Sequence, residues 1–298
     1  MEKDFDSIYG EIHDSEIFNL KNPLRKYIIL FCVMLCITFI YLIMFFKFSG
    51  IEFLGIVVLL CWLAFLFEFI KSKNNYVKLY KEKVVKTVVK KYKENFNYDE
   101  KGNVNLDYYK DSEFNDKIFS VKSTDGIYGS INGDAYLNSS YIYTKVKNDV
   151  LIDGKRKTEI QDGFYGFFGM VLVKKSINAN ITIKSNDFKR TYDKKRIEFE
   201  SAEFEKKFDC FSDNKIVAMQ ILTLDCIEKI NKLYSEIKKP LEICIKNDKI
   251  YFRILMKNIF DPSQIGKVVE REKLLKIYNV INFSSELGKS IAENVMDI

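Results

Sequence analysis

The chain of 298 residues has one histidine, three prolines and six cysteines, and each scarcity removes a class of function. With His13 alone, in an acidic tail, a histidine base has no candidate, and a solvated side chain is the plainer role for it. Cys32, Cys36 and Cys61 fall inside apolar runs, while Cys210, Cys226 and Cys244 are scattered without the short spacing that structural zinc or a disulfide framework needs. They read as reduced, buried small hydrophobes, and no metal or other cofactor is expected.

Charge is absent where it matters most. Tyr27 to Phe46 has no charged residue, and Ile51 to Ile70 has only Glu52 and Glu68. At about 1.5 Å per helical residue, either run covers the roughly 30 Å of a bilayer core, so both are expected to cross a membrane. Only Lys47, Phe48, Ser49 and Gly50 separate them, which makes a hairpin with both flanks on one side. Neither run has a mid-membrane charge or a Gly-x-x-x-Gly face, so no ion or substrate path is evident. Glu68, near the membrane edge, can snorkel or pair with Lys71, and Trp62, Phe65 and Phe67 read as lipid-facing bulk. Basic residues mark the cytoplasmic side: Lys21, Arg25 and Lys26 precede the first run and a series of lysines follows the second. The expected location is therefore the cell membrane, multi-pass, with both termini cytoplasmic. A cleaved signal peptide would have an apolar region of about 7–15 residues, closer to the N-terminus.

The segment after the hairpin is basic. Lys71, Lys73, Lys78, Lys81, Lys83, Lys86, Lys90, Lys91 and Lys93 face one acid, Glu82, so 71–93 carries +8 in a protein of net +6. Val77, Tyr80, Val84, Val88 and Tyr92 recur at helical spacing, giving a basic amphipathic helix that continues the second span. Two readings stand for it. The nine lysines contact anionic lipid headgroups, with Asn74-Asn75 as the bend that lays the helix down, or the helix is a solvated stalk. Confining the charge to one helix argues against nucleic acid, which calls for basic residues over a folded face interleaved with aromatics.

The expected division is a tail at 1–26 with an acidic first half, the hairpin at 27–70, the basic helix at 71–93, a polar linker at 94–116 and an α+β domain at 117–298. In the tail, Phe5, Ile8, Tyr9 and Ile12 permit a short amphipathic helix as well as a loose segment. Period-two patterning at 118–122 and 141–146, with β-rich runs at 167–173, 180–184 and 196–199, predicts an antiparallel sheet. Asp125-Gly126, Asn132-Gly133, Asp153-Gly154 and Asp162-Gly163 are the predicted tight turns. The glycine-aromatic run 163–169 lacks the Lys-Ser/Thr of a phosphate cradle and reads as a bulged strand entry. Ser201 and Thr223 are predicted helix caps, with Ser212-Asp213 as another helix start. Leu241 to Lys246 and Lys249 to Ile254 flank Asn247-Asp248 as a hairpin, and Asp261-Pro262-Ser263-Gln264 opens a final helix using Ile265, Val268, Leu274, Leu275, Tyr278 and Ile281.

These landmarks carry a resemblance. Ile197-Glu198-Phe199-Glu200, Glu203 to Phe208, Phe211-Ser212-Asp213-Asn214, Ile221-Leu222-Thr223 and the 243–254 hairpin resemble the bacterial domain of unknown function 3137 family, over about Phe114 to Ile254. The resemblance implies a small membrane-anchored architecture and no reaction. Leu224 stands where the family commonly has Pro. The function expected is a membrane-anchored cytoplasmic binding or scaffold domain, whose partners are the bilayer, anionic headgroups and an unidentified membrane or cytoplasmic protein, with no nucleic acid. The competing expectation is a carboxylate-based enzyme on a membrane-proximal substrate, drawing on Asp209, Asp213 or Asp225.

Overall fold

The computed structural model of the chain describes residues 2–13, 24–47, 52–112, 114, 117–152, 155–188, 195–262 and 270–296. They fall into two compact units, Met1–Val85 with Asp261–Arg271, and Lys86–Phe260 with Glu272–Ile298. The class is the expected one: two apolar helices near the N-terminus, then an antiparallel sheet with helices. Phe48, Ser49 and Gly50 of the expected loop, Asp153-Gly154 and the 263–269 part of the last helix start lie outside the described residues, while Lys47 ends the first apolar helix.

In the first unit, α1 (Glu2–His13) is amphipathic, with Phe5, Ile8 and Ile12 buried. Arg271 closes on it, pairing with Asp6 at 2.7 Å and lying over the Phe5 ring. α2 (Arg25–Lys47) and α3 (Glu52–Tyr80) are the two apolar helices. They are joined side by side by polar and aromatic contacts. Trp62 Nε1 donates to Thr38 Oγ1 at 2.9 Å, and the Thr38 hydroxyl donates to Met34 O at 2.8 Å, which satisfies both groups without water. Tyr27, Phe31, Trp62, Phe65 and Phe69 form a ring cluster with centroids 5.6–6.4 Å apart. Trp62 and Phe65, expected on the outer side, thus serve the seam between the helices, while Phe67 is exposed. No bend occurs at Lys73-Asn74-Asn75, because α3 is regular through Tyr80. The irregularity comes later, as a π-turn at Lys81–Val85.

The second unit begins with α4 (Lys86–Tyr92). The stretch expected to be a linker is structured: it holds β1 (Asn97–Asp99) and α5 (Leu106–Asp111), the latter capped by Asn105, whose side chain accepts from the Asp107 and Tyr108 amides. β2 (Ile118–Asn132), β3 (Ala135–Ile152) and β4 (Lys155–Ser185) then pair antiparallel in sequence. The turn expected at Asn132-Gly133 falls one residue later, at Gly133-Asp134, with Asn132 paired to Ala135 as the end of β2. Asp125-Gly126 and Asp162-Gly163 lie inside strands instead. Asp125 takes φ 56°, and the register shifts beside both pairs, so the dipeptides make bulges where they were predicted to end strands.

β5 (Lys195–Ile197) and β6 (Phe208–Ser212) add the far edge, around α6 (Ala202–Lys207), whose N-cap is Ser201. α7 (Lys215–Ile221) is capped by Asn214, one residue beyond the predicted Ser-Asp start, and α8 (Leu224–Ile237) by Thr223 as predicted. Strand structure runs without a break through β7 (Leu241–Leu255), yet the segment folds back on itself. A straight fifteen-residue strand would span about 50 Å, but the Leu255 amide donates to Pro240 O at 2.9 Å and Arg253 reaches Glu242 at 2.5 Å. Asn247, at φ 54°, is the corner of this hairpin. Because one arm of β7 pairs with 166–172 of β4 and the other with 180–184, β4 must reverse as well, and Ile177 opposite Asn247 carries its link across the hairpin tip.

The two sheet faces are both covered. On one, Ile243, Ile245, Ile250, Phe252 and Ile254 are fully buried, and Phe283 of α9 (Arg271–Met296) packs its ring 5.6 Å from Phe252. Gly169 is required there, since a Cβ would lie 2.1 Å from the Phe252 ring. Gly166 is required by the neighbouring strand, whose Ile254 carbonyl would sit 2.0 Å from a Cβ. On the other face Val104, Tyr109, Phe114, Phe164, Phe168 and Tyr251 form a second core. Phe204 and Phe208, both fully buried with rings 5.1 Å apart, anchor α6 as expected.

Candidate functional site

Two helices here are long and apolar enough to cross a membrane, Lys26–Lys47 and Phe53–Tyr92, and their large apolar side chains point outward. Phe46 is 84% exposed, Ile29 70%, Phe53 72% and Phe39 64%. At the charged end, Lys26, Glu68 and Lys71 line one recess with Tyr27 and Tyr76, and the Tyr27 hydroxyl donates to Glu68 O at 3.3 Å.

The nine lysines do not share one environment. Lys71, Lys78, Lys83, Lys86, Lys90 and Lys91 are exposed and Lys73 is half-buried. Lys78 lies 3.9 Å from Glu82, and Lys90 donates to Glu94 O and Asn97 Oδ1, both at 3.0 Å. Lys81 is buried, 3.1 Å from Asp261, in the π-turn. Lys93 donates to Ile131 O, and burial lowers its ammonium from the ordinary value.

The sheet holds a buried charge centre that sequence reasoning missed. Arg253 is 1% exposed and Glu242 0%, with Nε to Oε2 at 2.6 Å and a second bond at 2.5 Å. Phe114, Phe164 and Phe188 present ring centroids 4.5, 5.0 and 5.3 Å from the guanidinium, and Arg253 also donates to the Tyr109 hydroxyl. Beside it, burial would raise the Asp111 carboxyl, but hydrogen bonds from Lys249 (2.8 Å) and Tyr251 outweigh that and hold it below the ordinary value. The Tyr251 hydroxyl is pushed far up by burial, then by its bond to Asp111. A signal existed: in a hairpin turning at Asn247-Asp248, residues 242 and 253 are directly opposite, and opposite charges there form a cross-strand pair. Such a centre supports the fold, since each of these charged side chains is held by another protein group, although Glu242 Oε1 is buried without a hydrogen-bond partner among the described residues.

The three carboxylates named for an enzyme have separate partners. Asp209 pairs with Arg196 at 3.1 Å and Lys184 at 3.2 Å, Asp213 accepts from the Asn180 amide at 2.8 Å, and Asp225 pairs with Lys229 at 2.7 Å. Burial raises the Cys210 thiol to about 12 and the Cys226 thiol to about 11. Among the described residues no three His, Cys, Asp or Glu side chains gather as metal ligands.

A cavity of about 460 Å³ opens between the end of α8, the hairpin base and α9. Ile237, Pro240, Leu255, Met256, Ile259 and Val280 supply its apolar wall. Lys239, Lys257 and Lys276 also line it and are exposed, which sets them at the rim. Glu236 and Asn279 complete the lining, and Glu236 Oε2 and Asn279 Oδ1 are buried atoms without a hydrogen-bond partner among the described residues. Burial raises the Glu236 carboxyl, with Lys232 opposing. No sequence motif announces this site, because its walls come from three distant segments.

Residues 162–292 match the model of a family described as protein of unknown function, DUF3137. The resemblance read from the sequence therefore holds from residue 162 on; 114–161 fall outside the match, which instead extends past the hairpin through most of α9. No curated protein matches the chain. Among solved structures, the crystal structure of the mycobacterial trehalose monomycolate transport factor A, TtfA, is similar at a TM-score of 0.39 and 8% identity, covering 71% of this chain and 94% of that one. A likeness that loose carries no argument about what this chain binds.

Proposed function

We propose that the chain is a membrane-anchored binding or scaffold domain, with α2 and α3 crossing the cell membrane and both termini and the sheet domain on the cytoplasmic side. The observation that carries this reading is the outward display of Phe39, Phe46, Phe53 and their neighbours along two helices of spanning length. In water, apolar surface costs about 25 cal/mol per Å², and patches on soluble monomers rarely exceed a few hundred Å². A bilayer removes that cost. Alkaline carbonate should leave the full chain in the membrane pellet, and deletion of 25–80 should release it to the supernatant; extraction of the full chain would reject the anchor. No observation favours the carboxylate-enzyme reading.

The lysine proposal narrows with the helix geometry. In a regular α3, Lys78 is about 10 Å beyond Lys71, near the limit of electrostatic attraction to an anionic surface at physiological salt. Lys71, Lys73 and Lys78 are the proposed headgroup contacts, while buried Lys81 and the occupied Lys93 serve the fold. The exposed Lys83, Lys86, Lys90 and Lys91 follow the stalk reading. With the chain in anionic nanodiscs, spin-labelled headgroups should quench a fluorophore at position 78 more than one at 91. Equal quenching would return the distal lysines to the membrane.

A further inference from the structure

We infer that the cavity between α8, the base of the β7 hairpin and α9 is a binding site for an anionic amphiphile, a carboxylate- or phosphate-headed molecule with an apolar chain. The volume, about 460 Å³, lies in the range of small-molecule sites, roughly 300–1,000 Å³. Ile237, Pro240, Leu255, Met256, Ile259 and Val280 give it an apolar wall, and Glu236 and Asn279 its polar points.

The arrangement is amphipathic in the sense a ligand would need. The apolar wall is half-buried or buried, and the charge is outside, on Lys239, Lys257 and Lys276. Three ammonium groups against one carboxyl select an anion at the mouth. The single acid, Glu236, is itself shifted toward its neutral form by burial, so it opposes an anion less than its formal charge suggests. The Asn279 amide can donate to head-group oxygens, while the unpartnered oxygens of Glu236 and Asn279 can accept from a hydroxyl. The site is rigidly based: the Leu255 amide to Pro240 carbonyl bond ties two wall residues together at 2.9 Å. Tyr165, at 41% exposure, adds an aromatic face on the sheet side.

This reading requires neither the membrane anchor nor its orientation, so the two fail separately. The test is photo-crosslinking of the full chain in its membrane with diazirine analogues of palmitic acid and of lysophosphatidic acid, followed by peptide mapping. Label is expected on peptides spanning 236–240 and 255–259, displaced by the corresponding unlabelled acid or phosphate and not by hexadecylamine. The exposed-residue triple variant Lys239→Glu, Lys257→Glu, Lys276→Glu, whose unfolding should match the parent, is expected to weaken labelling about tenfold or more, and Val280→Trp to fill the cavity and abolish it. Capture of only one of the two analogues would support the site and assign its head group. Label confined to 25–47 and 52–80, or equal displacement by hexadecylamine, or labelling indifferent to the triple variant, would overturn the proposal.

Discussion

The apolar helix pair and the sheet domain use the same side chains to opposite ends. In α2 and α3, Leu, Ile and Phe point outward and the few polar groups, Thr38 and the Trp62 indole, turn inward onto each other. In the sheet domain, Ile243, Ile245, Phe252 and Ile254 are inside, and lysines such as Lys239, Lys257 and Lys276 are out. The difference teaches what surrounds each part. A domain buries apolar surface because water penalises it, and two helices that leave most of their large apolar side chains exposed fit the proposed anchor, since a bilayer carries no such penalty.

The largest effects that could break the comparison come from one residue type in its two settings. Phe252→Ala, at a fully buried position between α9 and the sheet, is expected to destabilise the domain by about 3–5 kcal/mol, while Phe39→Ala, exposed on α2, should leave domain unfolding unchanged. Proteolysis of the full chain in rising urea measures both. Similar shifts for the two would mean that α2 packs as a core helix.

Arg253→Met strands the buried Glu242 carboxylate and is expected to cost about 3–5 kcal/mol. Adding Glu242→Leu should recover most of that, because two apolar groups leave no buried charge. A double variant as unstable as the single one would show that the rings of Phe114, Phe164 and Phe188 need the guanidinium itself.

How much of this was legible in the sequence depended on range. The two apolar helices were, since an uncharged run such as Tyr27–Phe46 needs only counting, and so were the caps Ser201 and Thr223, which act within three residues. Asn105 offered the same kind of cap for α5 but lay in a polar stretch whose buried side chains Val104, Tyr109 and Phe114 belong to a core assembled with β3, β4 and β7. Asp-Gly pairs were ambiguous because a bulge and a hairpin corner ask for the same backbone freedom, and only cross-strand register separates them. The π-turn at Lys81–Val85 gave no local sign, and Asn74-Asn75, poor helix formers, were overridden by the helix on either side. The cavity was out of reach, as Glu236 and Asn279 meet only through the fold.

The smallest effect concerns acid. Asp111 is held below the ordinary carboxyl value, so its contribution is present above about pH 4, the unfolded value, and is lost as pH falls through the lower folded one. Asp111→Asn should therefore lower stability modestly at neutral pH and flatten its decline in acid. Parallel pH profiles for parent and variant would remove Asp111 from the account.

The most direct measurement is protease accessibility of tags placed at both termini of the full chain in intact cells. The two outward-facing helices and the proposed cytoplasmic domain require both tags to resist external protease until the membrane is broken, whereas cleavage of either tag in unbroken cells would contradict the topology and the function built on it.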